Sequence, residues 1–314
     1  MKIRILIFWF TILCSCSSYS QDPLFVNSQQ SLVYLNPSFA GSNGLFRTQS
    51  MYRVPSGPDL AYSSTTLYNG ADVYIKALKG GIAVTHIHDD YRRGTLKTDI
   101  VALSYAQYFS LLNNHLKIIP SIQMAYLQKE LDLRKISFGE LQDGGLAAQW
   151  PVMYGGGPIQ NKRNADFSSG LLINYKEFYF GTSVFHLSQP NEGLLGDSRL
   201  PARLKMHTSY TNRVNLWTVV NFFAQYQLQD KFNFWQAKIN FLVANHVIFG
   251  IGGHSRDAAS LNLGYKNKYF TLGLGYDQSL INFSDQLNAA WELQFSLNIR
   301  KKSENNSDVP FERW

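Results

Sequence analysis

The sequence predicts an all-β protein, a transmembrane antiparallel β-barrel of about 14 strands. Three observations predict this fold. Many segments place a large apolar residue at every second position, tight turns alternate with long loops, and the 314-residue chain is 14% aromatic but only 16% charged. No segment beyond the first twenty residues has the roughly 20 consecutive apolar residues of a transmembrane helix. A chain of this composition that spans a membrane therefore crosses it with strands.

The N-terminus has the features of an export signal. A positively charged start is followed by an apolar run and a small-x-small site that ends at Ser20, so residues 1–20 are expected to be a signal peptide. Leu13-Cys14-Ser15-Cys16 leaves lipidation at Cys16 as the alternative. Cys14 and Cys16 are the only cysteines. The body of the chain therefore holds no disulfide, zinc–cysteine site or cysteine nucleophile.

Alternation of apolar and polar residues is clearest in two segments near the C-terminus. Residues 270–276 carry Phe, Leu, Leu and Tyr at every second position, with Thr or Gly between them. In residues 291–299, Trp, Leu, Phe, Leu and Ile alternate with Glu, Gln, Ser and Asn. A period of two is that of a strand whose faces meet different surroundings, here lipid and the barrel lumen.

The connections provide a second signal. Tight turns are predicted at Leu78–Gly80, Leu112–His115, Tyr175–Glu177, Asn212–Arg213, Ala244–His246 and Lys266–Lys268. Longer loops are predicted at Val54–Leu60, His88–Gly94, Lys129–Asn164, Ser188–Leu200 and Asp277–Gln286, with short exceptions near Asp230 and Asp257. Tight turns in the periplasm and long loops outside are typical of outer-membrane barrels. We therefore expect residues 44–300 to form the barrel, residues 21–43 an N-terminal periplasmic segment and residues 301–314 a C-terminal tail.

Few residues suggest chemistry. His86 and His88 lie two apart on one strand face beside Asp89 and Asp90, so a metal site competes with a solvated loop edge, which we favour. The sequence lacks a nucleophile elbow, a phosphate loop and a His-Glu-x-x-His motif. We therefore expect no enzyme activity, metal or cofactor. Loss of Lys2 and Arg4 with the signal peptide lowers the formal charge from +7 to 7 − 2 = +5, an excess too small and too spread out to indicate nucleic-acid binding.

The two longest predicted loops are the candidate partner-binding region. Loops of this length in a compact protein are usually functional. They carry Trp150, Tyr154 and Arg163 in the first loop and Arg199 in the second, residue types that often anchor protein interfaces. The alternative is that both loops fold inward and close the barrel mouth.

A series of motifs runs along almost the whole chain. It starts at Gln21-Asp22-Pro23-Leu24-Phe25 and continues through Tyr34-Leu35-Asn36-Pro37-Ser38-Phe39-Ala40-Gly41 and Tyr52-Arg53. It extends through Gly80–Val84, Ser104–Tyr108, Ile136–Glu140, Asp166–Gly170 and Leu200–Arg203. With these motifs the chain resembles the PorP/SprF family of type IX secretion membrane proteins, and Asn36, Pro37, Gly41 and Arg53 are taken as the family motif. The Asn-Pro element is also similar to the N-terminal region of FadL-like channels.

This resemblance implies an outer-membrane protein of the secretion or gliding machinery. Such a barrel would recognise, help to export or anchor a surface adhesin through the adhesin's C-terminal domain. Its partners would be that secreted protein, other type IX secretion components and outer-membrane lipid. The alternative is a FadL-like or porin-like channel for small molecules.

Overall fold

The computed structural model describes residues 23–44, 46–56, 64–135, 159–194, 196–255, 258–280 and 289–299. In these residues, all strands belong to one antiparallel sheet in which the first strand pairs with the last. The sheet is thus a closed barrel without free edges, and the predicted fold class is confirmed. The strands are β1 (Phe46–Ser56), β2 (Ser64–Ile75), β3 (Gly80–Tyr91), β4 (Leu96–Gln107), β5 (Phe109–Leu111), β6 (Leu116–Asp132), β7 (Ile159–Tyr175), β8 (Phe178–Phe185), β9 (Arg203–Arg213), β10 (Thr218–Gln229), β11 (Phe232–Val243), β12 (Val247–His254), β13 (Ala258–Lys266), β14 (Phe270–Ser279) and β15 (Ala289–Ile299).

Strands β4 and β5 are two parts of one barrel strand, interrupted at Tyr108. Both pair with β6, and the register is unchanged across the break, since Ala106 pairs with Ser121 and Phe109 with Ile118. Pro120 lies opposite Gln107, next to the break, and has no N–H to donate to the ladder. With these two segments joined, the barrel has the predicted 14 strands.

Alternate residues of each strand face lipid and lumen. In β14, Leu272 and Leu274 are 45% and 43% exposed, whereas Thr271 between two outward positions is buried. The same alternation runs through β15, where Glu292, although charged, is only 1% exposed. Apolar residues therefore coat the outer face, and polar side chains line the lumen. Among the described residues, no helix is long and apolar enough to cross a bilayer.

Connections at one end of the barrel are short. These turns, which define the short-turn end, are residues 76–79, 112–115, 176–177, 214–217, 244–246 and 267–269. In outer-membrane barrels, the short turns face the periplasm. Some expected connections differ from the structure. The turn expected at Asn212–Arg213 lies at residues 214–217, and the loop expected at His88–Gly94 shrinks to residues 92–95 because β3 and β4 extend further.

Strands β6 and β7 extend beyond the membrane at the opposite, long-loop end. Each has 17 residues, whereas about 9–11 suffice to cross a bilayer. The loop expected over Lys129–Asn164 is therefore shorter, because its two ends continue the strands to Asp132 and from Ile159. Residues 1–20, the tail at 301–314, and Trp150 and Tyr154 lie outside the described residues.

Residues 23–44 lie inside the barrel, where we had expected a periplasmic segment. They form two short 3-10 turns, Ser28–Gln30 and Pro37–Phe39, around the helix α1 (Leu32–Leu35). Apolar residues of this segment join inward-facing residues of the barrel wall in one buried cluster: Val33, Leu35, Phe39, Ala40, Ala83, Ala106, Tyr108, Ile119, Leu172 and Phe223. Burying this apolar surface against the wall is favourable, so the segment packs in the lumen. We call residues 23–44 the lumenal plug.

Candidate functional site

The start of the plug is held by a buried carboxylate of β15. Glu292 accepts hydrogen bonds from the backbone N–H groups of Val26, at 2.6 Å, and Asn27, at 2.9 Å. One of its oxygens also lies 2.6 Å from a guanidinium nitrogen of Arg53. Arg53 reaches Asp277 at 3.2 Å as well. A buried charge is tolerated when it is paired and hydrogen-bonded, and Glu292 meets both conditions.

Strand β11 holds the same stretch of the plug from another side. The side-chain amide of Gln236 donates to the Val26 carbonyl at 2.8 Å. The Lys238 ammonium donates to the side-chain oxygen of Asn27. Both side chains are almost fully buried. The plug backbone between Val26 and Asn27 is therefore fixed by β11 and β15 together.

A cationic pair on β9 surrounds Tyr34 at the middle of the plug. The Lys205 ammonium donates to the Tyr34 carbonyl at 3.1 Å and lies 3.9 Å from the centre of its ring. The Arg203 guanidinium donates to the Tyr34 hydroxyl at 3.2 Å, and that hydroxyl donates to the Pro23 carbonyl at 2.5 Å. Cations over an aromatic face are attracted by its quadrupole. The buried charges of β9 are thus stabilised by the plug itself.

Asn36 connects the plug to β7, β8 and β9. Its side-chain oxygen accepts from the Ser38 N–H at 2.9 Å and caps the turn that Pro37 begins. Its side-chain nitrogen donates to the Leu171 carbonyl at 3.2 Å and the Thr182 carbonyl at 3.0 Å. The same nitrogen lies 3.2 Å from a ring nitrogen of the buried His207. One amide therefore shapes the plug and attaches it to the wall.

The plug leaves the lumen beside a pair of glycines. Gly41 has φ +74°, and its N–H donates to an oxygen of Asp72 at 2.8 Å. Asp72 also pairs with Arg47 at 2.8 Å. A Cβ on Gly81 of β3 would lie 1.9 Å from the Ala40 carbonyl oxygen. This close approach of plug and wall backbones requires glycine at position 81.

The segment between β8 and β9 covers part of the long-loop end. Glu192 is buried and forms an ion pair of 2.6 Å with Lys129 of β6. Leu200 is 2% exposed and packs with Ala102 and Leu127 of the wall. The described part of this loop therefore folds inward.

The predicted partner-binding residues that are described lie at the long-loop end. Arg163 is exposed, on the outward face of β7, where it pairs in register with Gln128. Arg199 is exposed within the loop and forms an isolated bridge with Asn191. The inward-facing Lys238 and Glu292 were visible in the sequence as charged residues alternating with apolar ones. Their pairing with the plug could not be predicted from that pattern.

His86 and His88, which the sequence analysis weighed as a metal site, both lie on β3. Both rings contact one oxygen of Asp99, at 3.2 Å and 2.8 Å. Within the described ranges, no group of three His, Cys, Asp or Glu side chains is placed to hold a metal ion.

Between the plug and the short-turn end lies a cavity of about 440 Å³, which we call the vestibule. Its inner side is formed by plug residues, among them Gln30, Phe39 and Ser42. Its outer rim includes Asn114 and Glu177 from the short turns. A second, smaller cavity of about 30 Å³ lies on the other side of the plug, beside Tyr34. The larger space is thus on the side of the short turns.

The comparison with family models confirms the family likeness. The family model described as "Type IX secretion system membrane protein PorP/SprF" matches residues 17–297. No curated protein matches the chain. The matching solved structures include the Acinetobacter baumannii outer membrane protein Omp33, at 10% identity and TM-score 0.49, covering 82% of this chain and 100% of that one. The Ralstonia pickettii toluene transporter TbuX matches at 11% identity and TM-score 0.47, and the match covers 85% of this chain and 92% of that one. The P. putida toluene transporter TodX matches at 11% identity and TM-score 0.44, and the match covers 83% of this chain and 89% of that one.

Proposed function

Because the chain belongs to the PorP/SprF family of type IX secretion system membrane proteins, we propose that this outer-membrane barrel recognises, helps to export or anchors a surface adhesin. Recognition would take place through the adhesin's C-terminal domain, together with other type IX secretion components. The role is one of binding and anchoring rather than catalysis. A closed barrel suits anchoring because it has no free edge and is retained in the membrane.

The observation that supports this proposal best is the plug. It bonds to strands on opposite sides of the barrel, since Gly41 reaches Asp72 of β2 at 2.8 Å and Gln29 reaches Asn221 of β10 at 2.8 Å. A lumen crossed by its own chain favours docking at the barrel's ends over free diffusion through it. The secreted partner would then bind at the long-loop end.

We assign the candidate contacts there to Trp150, Tyr154, Arg163 and Arg199. Arg163 and Arg199 are both exposed, and guanidinium groups are common anchors of protein interfaces. Strands β6 and β7 extend past the membrane and would present Arg163 outside the lipid. The wall that they form gives a partner a rigid surface beside the loops.

The experiment is affinity purification of the tagged barrel from detergent-solubilised outer membranes, followed by identification of stoichiometric partners. A secreted protein should co-purify, and replacing Trp150, Tyr154 and Arg163 by Ala should release it. Heat-modifiable gel mobility would check that the variant barrel still assembles. Normal surface display of the partner by this variant would contradict the assigned contacts.

The alternative function is a channel for small molecules. It predicts steady conductance of the purified protein in planar bilayers, whereas the anchor predicts little conductance and a co-purified partner. Conductance without any partner would favour the channel.

A further inference from the structure

We propose that the vestibule binds an acidic, extended peptide segment that enters from the periplasm. This inference rests on the proposed function for its partner, a protein that the barrel meets during secretion. It places a second recognition site at the short-turn end of the barrel, opposite the long-loop end where the secreted partner is proposed to bind.

The charge of the vestibule indicates an anionic ligand. Lys117 of β6, Lys176 of the β7–β8 turn and Lys266 of β13 all line it, and Glu177 is the carboxylate among its lining residues. Arg47 lines it too, with its charge balanced by Asp72. Lys117 and Lys176 belong to neighbouring parts of the wall, since Lys117 pairs in register with Asn174, whereas Lys266 belongs to a distant strand. Such a concave, positively charged site attracts and concentrates anions.

The polar lining favours a peptide over a simple anion. Several of the lining side chains are amides, among them Gln30, Gln49 and Asn114. Each amide carries both donors and an acceptor, which matches the alternating N–H and C=O groups of a polypeptide backbone. A phosphate or sulfate needs donors alone. Leu32 and Phe39 add an apolar surface for the aliphatic parts of side chains.

A buried hydroxyl of the plug offers a further contact to a ligand in the vestibule. Ser42 of the plug lines the vestibule and is 1% exposed. Its hydroxyl has no hydrogen-bond partner among the described residues. Because a buried polar group without a partner is costly, a ligand or water that reaches Ser42 from the vestibule would be stabilised there.

The test measures binding of a fluorescein-labelled hexaglutamate peptide to the purified full chain by fluorescence anisotropy. We expect binding that weakens with rising salt, and no binding of a hexalysine peptide of equal length. The double variant Lys117→Glu, Lys266→Glu should weaken binding at least tenfold. The matched control pairs Lys97→Glu, at the long-loop end, with Lys268→Glu, at a short turn; neither lines the vestibule, and binding should be unchanged.

A second measurement does not depend on charge reversal. Asn114→Cys places a thiol at the vestibule rim, and the sequence has no other cysteine beyond Cys16. The unmodified variant should bind the peptide, and coupling to a bulky maleimide should abolish binding. Absence of binding to the wild-type chain, equal weakening by the control pair, or tighter binding of an anionic oligosaccharide of equal charge would overturn the inference. Because only purified protein and a synthetic peptide are used, failure here is distinct from failure of the co-purification experiment.

Discussion

Arg53 and Glu292 are 239 positions apart in the sequence and form an ion pair of 2.6 Å inside the barrel. The same carboxylate binds the backbone of Val26 and Asn27. The pair therefore joins three parts of the chain: β1, β15 and the plug. Arg53 is one of the four residues taken as the family motif, and Asn36 and Gly41, two others, also hold the plug. These three motif residues therefore share one structural role, which is to attach the plug to the barrel wall.

Replacing Glu292 by Gln should loosen the plug. The change removes one of the two carboxylate charges that pair with Arg53, and because Asp277 remains, the cost should be below the roughly 3–5 kcal/mol of an uncompensated buried charge. A cysteine at Ser28, which is 5% exposed, would report this through its rate of reaction with a maleimide. We expect the rate to rise at least tenfold in Glu292→Gln. Glu130→Gln on β6 is the control, and equal rates in both variants would argue against the anchor.

Replacing Gly81 by Ala should displace the plug or impair assembly. The added Cβ would lie 1.9 Å from the Ala40 carbonyl oxygen, and overpacking of this kind costs about 1–3 kcal/mol or more. Gly253→Ala is the matched control, because its Cβ would meet an atom no nearer than 3.3 Å. Heat-modifiable mobility and thermal denaturation measure the difference. If both variants were equally stable, the close approach would be disproved.

Leu274→Arg should destabilise the barrel by about 2–4 kcal/mol, because Leu274 faces the lipid near the middle of β14. Leu228→Arg, near the long-loop end of β10, should cost only about 0–1 kcal/mol. Unfolding in denaturant from lipid vesicles compares the two. Equal costs would contradict the placement of the bilayer.

An epitope inserted at Gly196 should be reached by antibody on intact cells, and one at Asn113 should not. Gly196 lies in the loop between β8 and β9, whereas Asn113 lies in a short turn. A Cβ on Gly196 would meet no atom within 4 Å, so an insertion there has room. Permeabilised cells serve as the control for Asn113. Surface labelling at Asn113 would show that the short turns face outward, which contradicts the predicted orientation of the barrel.

The sequence by itself determined the barrel, its strand number and the lipid-facing residues. These properties are local, since period-two alternation within one strand already decides which side chains meet lipid. Strand ends could not be predicted as well. Strands β6 and β7 are longer than expected, because the polar residues at their outer ends are equally compatible with a loop.

Only the tertiary structure decided where residues 23–44 lie and how the lumen is filled. The apolar and polar groups of the plug could be satisfied in the periplasm by water or another protein, or in the lumen by the wall. Its partners, such as Glu292 and Lys238, are more than 200 positions away. No local pattern records that pairing, because it exists only once the barrel has closed and brought those side chains around one space.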